Sequence, residues 1–63
     1  MPVHDYIVRY ELHINGNITH DHMTVAAYDP DEAIALVRAI ISHRIQRAIW
    51  NPTAERKEIF LDE

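Results

Sequence analysis

The 63-residue chain contains no cysteine and a single glycine, Gly16. Without cysteine, neither a disulfide nor a thiolate metal site can stabilise the fold, and this composition fits a reducing compartment. With one glycine, there is no glycine-rich loop of the kind that cradles phosphate groups. The sequence also lacks a serine in a nucleophile motif and a pair of carboxylates suited to acid–base chemistry. We therefore predict that the protein is not an enzyme and needs no cofactor.

Long apolar segments are also missing from the sequence. No segment reaches the length of a transmembrane helix, and the first residues lack the basic and apolar parts of a signal peptide. We therefore expect a cytoplasmic protein with no membrane association. A single domain this small buries only roughly 60% of the surface that its unfolded chain exposes. Because disulfides are excluded, a homodimer or a protein partner is the expected source of additional stability.

The net charge of −4 conceals a separation of the two signs along the chain. Five of the six basic residues lie between positions 38 and 57, where Glu55 is the only acidic residue. That segment carries +4 and the rest of the chain carries −8. An acidic chain is a poor non-specific nucleic-acid binder, although a local basic cluster can still hold a phosphate.

The strongest local signal is Asn15-Gly16, which lies between two segments of alternating polarity. This dipeptide favours a type I′ turn, because both central residues of that turn need a positive φ. It predicts one long β-hairpin, from Tyr6 to Tyr28, in which Tyr6 faces Val25. One face of this hairpin is mainly apolar and is expected to form the core. The other face is polar and carries Arg9, Glu11, His13, His20 and His22.

Helix start signals follow the hairpin directly. Asp29 is expected to be the N-cap, Pro30 the first helical residue, and Glu32 the partner that completes a capping box. Apolar residues then recur at helical spacing and form the stripe that covers the hairpin, namely Ala33, Leu36, Val37, Ile40 and Ile41. The helix is expected to end near Ile49, because Asn51-Pro52 disfavours its continuation.

The last element predicted from the sequence is a short strand from Arg56 to Asp62, after a turn over residues 51–55. In this strand Ile59 and Leu61 point inward and Phe60 points outward, where it forms a small apolar patch with Ile7. A right-handed crossover would place this strand antiparallel beside the first one, which gives sheet order 2-1-3, with order 1-2-3 as the alternative. The fold class is therefore α+β, a ββαβ domain whose three-stranded sheet is covered on one face by a single helix.

Histidines are concentrated on the polar face of the predicted hairpin. His20 and His22 point the same way, Glu11 lies opposite His20, and His13 lies diagonal to it, within roughly 7–8 Å. Three histidines with a carboxylate can bind zinc, so Glu11, His13, His20 and His22 form a candidate metal site. Two other interpretations stay open: a solvated face that is rich in histidine, and a pH-sensing surface.

The outward face of the predicted helix carries fewer charges than a solvated helix of this length normally shows. Small side chains on it would let a partner approach closely, and arginine and tryptophan near its end are typical of interface hot spots. The candidate partner-binding residues are Ala35, Arg38, Ala39, Ser42, Gln46, Arg47, Ile49 and Trp50. The alternative is an alanine-rich face without a partner.

The basic residues around the helix end admit a further interpretation. Arg44, Arg47, Arg56 and Lys57, with an aromatic residue between them, could bind the phosphates and stack on the bases of a nucleic acid. Arginines near a helix C-terminus can also simply complement the helix dipole.

The order of motifs resembles that of many tiny bacteriophage accessory proteins. The resemblance is carried by a tyrosine-rich strand, the Asn-Gly turn, the segment Val25-Ala26-Ala27-Tyr28-Asp29, and the helix start Glu32-Ala33-Ile34. The strand–strand–helix–strand order also looks like that of a small archaeal large-subunit ribosomal protein family. The phage-type resemblance implies a protein that binds a host protein in the host cytoplasm and alters it.

Our leading hypothesis from the sequence is a small protein-interaction module that acts as a homodimer. Zinc binding by the histidine face is the first alternative, and nucleic-acid binding by the basic residues is the second.

Overall fold

The computed structural model describes residues 2–57. Strand β1 spans His4–Ile14, β2 spans Asn17–Ala27, helix α1 spans Pro30–Ile45, and β3 spans Trp50–Arg56. The three strands are antiparallel and have the order β2-β1-β3, with the helix packed on one face of the sheet. The predicted α+β class, ββαβ order and sheet order are confirmed. Among residues 2–57, no helix has the length and apolar character needed to cross a bilayer.

The β1–β2 hairpin has the register that its turn predicts. Asn15 and Gly16 both have positive φ, 52° and 78°, as a type I′ turn requires. Pairing is continuous from Ile14 opposite Asn17 to His4 opposite Ala27, and it includes Glu11 opposite His20. A Cβ added at Gly16 would meet no atom within 4 Å, so the positive φ, and not crowding, is what favours glycine there.

Helix α1 begins with a capping arrangement and ends earlier than predicted. The Asp29 carboxylate accepts a hydrogen bond from the Glu32 N–H at 2.7 Å, and Glu32 in return accepts from the Tyr28 N–H at 2.7 Å. The helix ends at Ile45, because Gln46 adopts a left-handed conformation with φ 55° and donates its N–H to the Ser42 carbonyl. The predicted end near Ile49 is therefore wrong by about one turn.

Strand β3 lies earlier in the chain than predicted. Residues 51–55, predicted as a turn, belong to the strand, and the predicted strand Arg56–Asp62 begins where β3 ends. A bulge next to Trp50 shifts the register between Arg9 and Glu11, and the positive φ of Asn51, 49°, lies within it. Pro52 is tolerated because β3 is an edge strand and needs no complete set of N–H donors. The predictions for Ile59, Phe60 and Leu61 lie outside the described residues.

The core lies between α1 and the inner face of the sheet. It contains nine buried residues: Tyr6, Val8, Tyr10, Leu12, Ala27, Ala33, Val37, Ile41 and Ile49. Ile49 was predicted on the helix surface, and that prediction is wrong. After α1 ends, the chain returns to the sheet, and Ile49 precedes Trp50, which lies opposite Glu11. Ile49 thus covers the core at the level of Leu12, toward the hairpin turn.

Candidate functional site

The face of the sheet opposite α1, named here the open face, is not covered by any described element. Side chains alternate between the two faces along each strand, so the register defines which residues the open face presents. They are Ile7, Arg9, Glu11 and His13 from β1, Ile18, His20, His22 and Thr24 from β2, and Trp50, Asn51, Thr53 and Glu55 from β3. Most of them are exposed, and only Ile7 and Glu11 are half-buried.

Trp50 and His13 form a stacked aromatic pair on the open face. Their ring centroids are 4.7 Å apart, and their planes differ by only 6°. The bulge of β3 places Trp50 opposite Glu11, and its ring extends over the next open-face residue of β1. Trp50 remains 50% exposed, so one side of its ring is held by His13 while the rest is free to contact a ligand.

Glu11 lies at the centre of the open face and has two polar neighbours. Its Oε1 atom accepts a hydrogen bond from Asn51 Nδ2 at 3.2 Å and lies 3.7 Å from His13 Nε2. Asparagine tolerates the left-handed conformation of the bulge better than most residues, so the backbone irregularity aims this amide at Glu11. The carboxylate is thereby fixed between the aromatic pair and β3.

Arg9 and Glu55 form an ion pair across β1 and β3, with Nη1 and Oε1 3.0 Å apart. Both side chains are largely exposed, so solvent screens the pair and its contribution to stability is small. Only one guanidinium nitrogen is engaged by Glu55, and a guanidinium has five N–H donors. Arg9 is therefore oriented across the face and retains donors for a ligand.

A cleft of about 310 Å³ lies across the open face. Its walls are His20 and His22 on the β2 side and Asn51 and Thr53 on the β3 side, with Arg9, Tyr10, Glu11 and Asp21 completing the lining. The lining mixes hydrogen-bond donors and acceptors and contains both signs of charge. Such a cleft suits a polar protein surface better than an apolar small molecule.

Tyr10 supports this site from the inner face of β1. Its side chain is buried in the core, and it lies opposite Asp21 in β2. Burial raises the pKa of the Tyr10 phenol above its ordinary value, and the negative charge of Asp21 raises it further. The phenol is therefore kept neutral in the folded protein up to a higher pH than in the unfolded chain.

The predicted metal site is only partly assembled. The structure places Glu11 opposite His20 and brings Glu11 near His13, as the sequence indicated. The His13 ring, however, is stacked on Trp50, and Glu11 already accepts a bond from Asn51. Among residues 2–57, no three histidine or acidic side chains converge in an arrangement that could hold a metal ion. Zinc binding by Glu11, His13, His20 and His22 stays a prediction.

The predicted partner-binding residues do not form one surface. Ala35, Arg38, Ala39 and Ser42 are exposed on α1, and Gln46 and Arg47 are exposed just beyond its end. Ile49 is buried in the core, and Trp50 lies on the open face, on the other side of the sheet. The set splits because the helix ends before Gln46, so the residues after it no longer follow helical periodicity.

The basic residues proposed for nucleic-acid binding lie at two ends of the molecule. Arg44 and Arg47 flank the end of α1, close to the start of β3. Arg56 lies opposite Tyr6, at the other end of β3, and the Lys57 N–H bonds the Asp5 carbonyl at 2.8 Å. Six residues of strand separate these ends by about 20 Å. The four cations therefore do not form one basic patch.

The sequence did not indicate that Trp50 shares one surface with Arg9, Asn51, Thr53 and Glu55. The alternation of side chains through Thr53 and Glu55 could have indicated a strand, but Pro52 made the segment resemble a turn. Comparisons of this chain with protein-family models, curated proteins and solved structures found no match.

Proposed function

We propose that the chain is a small protein-interaction module whose open face binds a protein partner. The observation that carries this proposal is the stacked pair of Trp50 and His13, in which Trp50 is half exposed beside the polar cleft. Tryptophan and arginine are the residue types most enriched at binding hot spots, and Arg9 lies on the same face. The helix covers the other side of the sheet and acts as the scaffold.

A protein surface fits this face better than the two alternative ligands. A nucleic acid requires clustered cations, whereas the open face carries one arginine together with Glu11 and Glu55, and the other cations are dispersed. A bound metal requires at least three convergent ligands, which residues 2–57 of one chain do not provide. An aromatic anchor surrounded by polar side chains of both signs has the composition of a non-obligate protein interface.

A module of this kind acts by contact and not by chemistry. The chain is small, and apart from the phenols of Tyr6 and Tyr10 its described residues bury no side chain with a polar or charged group. A phage-type accessory protein that binds a host factor and modulates it would need only such a surface. We propose this role for the chain, in the cytoplasm where the host factor is found.

The test compares two aromatic residues of nearly equal exposure. Trp50 is 50% exposed on the open face, and Tyr28 is 52% exposed in the turn before α1. Tagged wild-type protein, Trp50→Ala and Tyr28→Ala are used as bait in extracts of the native cell, and captured proteins are identified by mass spectrometry. We expect one protein to be retained by wild type and by Tyr28→Ala and to be lost from Trp50→Ala.

The purified partner then allows a direct measurement, because Trp50 is the only tryptophan of the chain and its fluorescence reports contact with the open face. Capture that survives Trp50→Ala and is lost instead in Ala39→Glu would show that the helix face binds the partner. That result would contradict the proposal.

A further inference from the structure

The two edges of the sheet differ in their capacity to accept another strand. The β3 edge contains a bulge at Asn51 and a proline at position 52, and both interrupt the row of backbone donors. The β2 edge is eleven residues long, contains no proline, lysine or arginine, and keeps an unbroken register with β1. Long regular edges of this kind are the ones on which an additional strand pairs.

The register determines which residues of β2 point their backbone N–H and C=O toward β1 and which point them toward the free edge. The Asp5 carbonyl accepts a bond from Lys57, so the polar groups of Asp5 point toward β3. Its neighbour across the hairpin, Ala26, is consequently not hydrogen-bonded to β1, and its N–H and C=O point to the free edge. By alternation the same holds for Thr24, His22, His20 and Ile18.

We infer that a second copy of this chain pairs along the β2 edge, antiparallel and related by a two-fold axis. Only one register uses all eleven residues of both strands, namely Asn17 opposite Ala27 of the second copy, and it places His22 opposite His22. The residues that face each other as hydrogen-bonded pairs in this register are those whose groups point outward, so the backbone pattern is self-complementary.

Charge and shape support the same register. Asp21 is the only acidic residue of β2, and it faces Met23 of the second copy, so no like charges lie directly opposite. Sliding one strand by two residues leaves end residues unpaired in either direction. In one of the two directions it also places Asp21 opposite Asp21. The chosen register also brings Ile18, 59% exposed, beside Ala26.

One feature of the isolated chain opposes this pairing. The Asp21 carboxylate accepts a hydrogen bond from the His22 N–H at 2.8 Å, which is an outward-pointing donor of the β2 edge. A second strand must displace that carboxylate to bond His22. Asp21 therefore acts as a competitor for the central donor, and its removal is expected to strengthen the dimer.

This inference goes beyond the proposed function, because it concerns the backbone edge of β2 and not the Trp50 side of the open face, and because the partner is a second copy of the chain. Pairing at β2 leaves Trp50 exposed and joins the two open faces into one six-stranded face. Loss of the dimer would therefore leave binding through Trp50 testable, and loss of partner binding would leave the dimer testable.

The first experiment measures mass by sedimentation of the full chain over a range of micromolar concentrations. We expect a species of twice the 7.4 kDa of one chain. Thr24→Pro removes one outward N–H and leaves the β1 bonds intact, and it is expected to weaken the dimer about ten-fold or more, since symmetry counts the lost bond twice. Thr24→Val keeps the N–H and should dimerise as wild type does, while Asp21→Ala should dimerise more tightly.

The second experiment uses the cysteine-free background. In the inferred register His22→Cys places two cysteines directly opposite, with Cα atoms about 5.5 Å apart, a distance that a disulfide spans. We expect oxidation to cross-link His22→Cys efficiently, and Ile18→Cys and Met23→Cys poorly. This readout does not depend on Thr24→Pro remaining folded.

Three results would overturn the inference: a chain that stays monomeric even as Asp21→Ala, a dimer unaffected by a folded Thr24→Pro, or preferential cross-linking at position 18 or 23. Each result leaves the Trp50 test of partner binding unaffected.

Discussion

Side chains of β1 alternate between two faces of the sheet, and these faces differ in their surroundings. On the inner face, Tyr6, Val8, Tyr10 and Leu12 are all buried beneath α1. On the open face, Arg9 and His13 are exposed and interact with Glu55 and Trp50. The inner face of β1 thus supplies four of the nine buried core residues, and burial of such side chains stabilises the fold. The open face buries little and therefore contributes less to stability.

The largest expected effect compares two consecutive residues that point to opposite faces, Ile49 and Trp50. Ile49→Ala removes a buried side chain and should lower the free energy of unfolding by about 3 kcal/mol. Trp50→Ala removes a half-exposed ring and should cost about 1 kcal/mol, mainly its stacking on His13. Urea denaturation at one fixed protein concentration measures both values. Equal losses would show that the two faces do not differ as described.

The next comparison uses Val8 and Ile7, which are also consecutive. Val8 is fully buried and Ile7 is half-buried on the open face. Val8→Thr places a hydroxyl in the apolar core and should destabilise the protein by about 2 kcal/mol. Ile7→Thr keeps the β-branched shape and exposes its hydroxyl to water, so the loss should stay below about 1 kcal/mol. Denaturant midpoints distinguish the two, and the reverse order would contradict the assignment of faces.

A smaller effect concerns the pH dependence contributed by Tyr10. Because burial and Asp21 raise the pKa of this phenol in the folded state, the unfolded chain releases the proton first as the pH rises. The contribution is fully present below the ordinary tyrosine pKa of about 10, and it is lost as the pH rises from there through the raised pKa of the folded state. Stability should therefore fall less steeply above pH 10 in Tyr10→Phe than in wild type. Identical slopes in alkaline denaturation curves would argue against burial of the phenol.

The smallest effect is expected for the ion pair on the open face. Arg9→Ala breaks a largely exposed contact with Glu55 and should change the free energy of unfolding by less than about 0.5 kcal/mol. The same variant should weaken binding of a partner through the open face. Thermal unfolding, repeated with added salt, checks the first expectation. A loss above 1 kcal/mol would mean that this face also stabilises the fold.

The elements that the sequence predicts best are those with local signals. Asn15-Gly16 alone specified the hairpin register, and Asp29 with Glu32 specified the helix start, because each feature depends on residues a few positions apart. The end of α1 was not predictable in this way. Gln46 takes the left-handed cap conformation without being a glycine, and Ile49 fits both a helical stripe and a buried position after the helix.

The site was predictable only where it lies within the hairpin. The position of Glu11 opposite His20 followed from the turn, whereas the stacking of Trp50 on His13 depends on where β3 begins. The start of β3 was not predicted, because Asn51-Pro52 by itself is typical of a turn. Paired with β1, the same residues form a bulged edge strand. Contacts between distant segments decided the conformation, and a single sequence does not reveal them.

Pro52 and the bulge beside it also have a consequence for the stoichiometry of any assembly. A sheet with two regular edges would offer a new edge after every addition, so its copies would polymerise into a fibre without a fixed size. In this chain the β3 edge is poorly suited to such growth, because the bulge and Pro52 interrupt its backbone near the start of the strand. The association that we infer through β2 would therefore end at two copies. The bulge and Pro52 together thus favour a closed pair over an open filament.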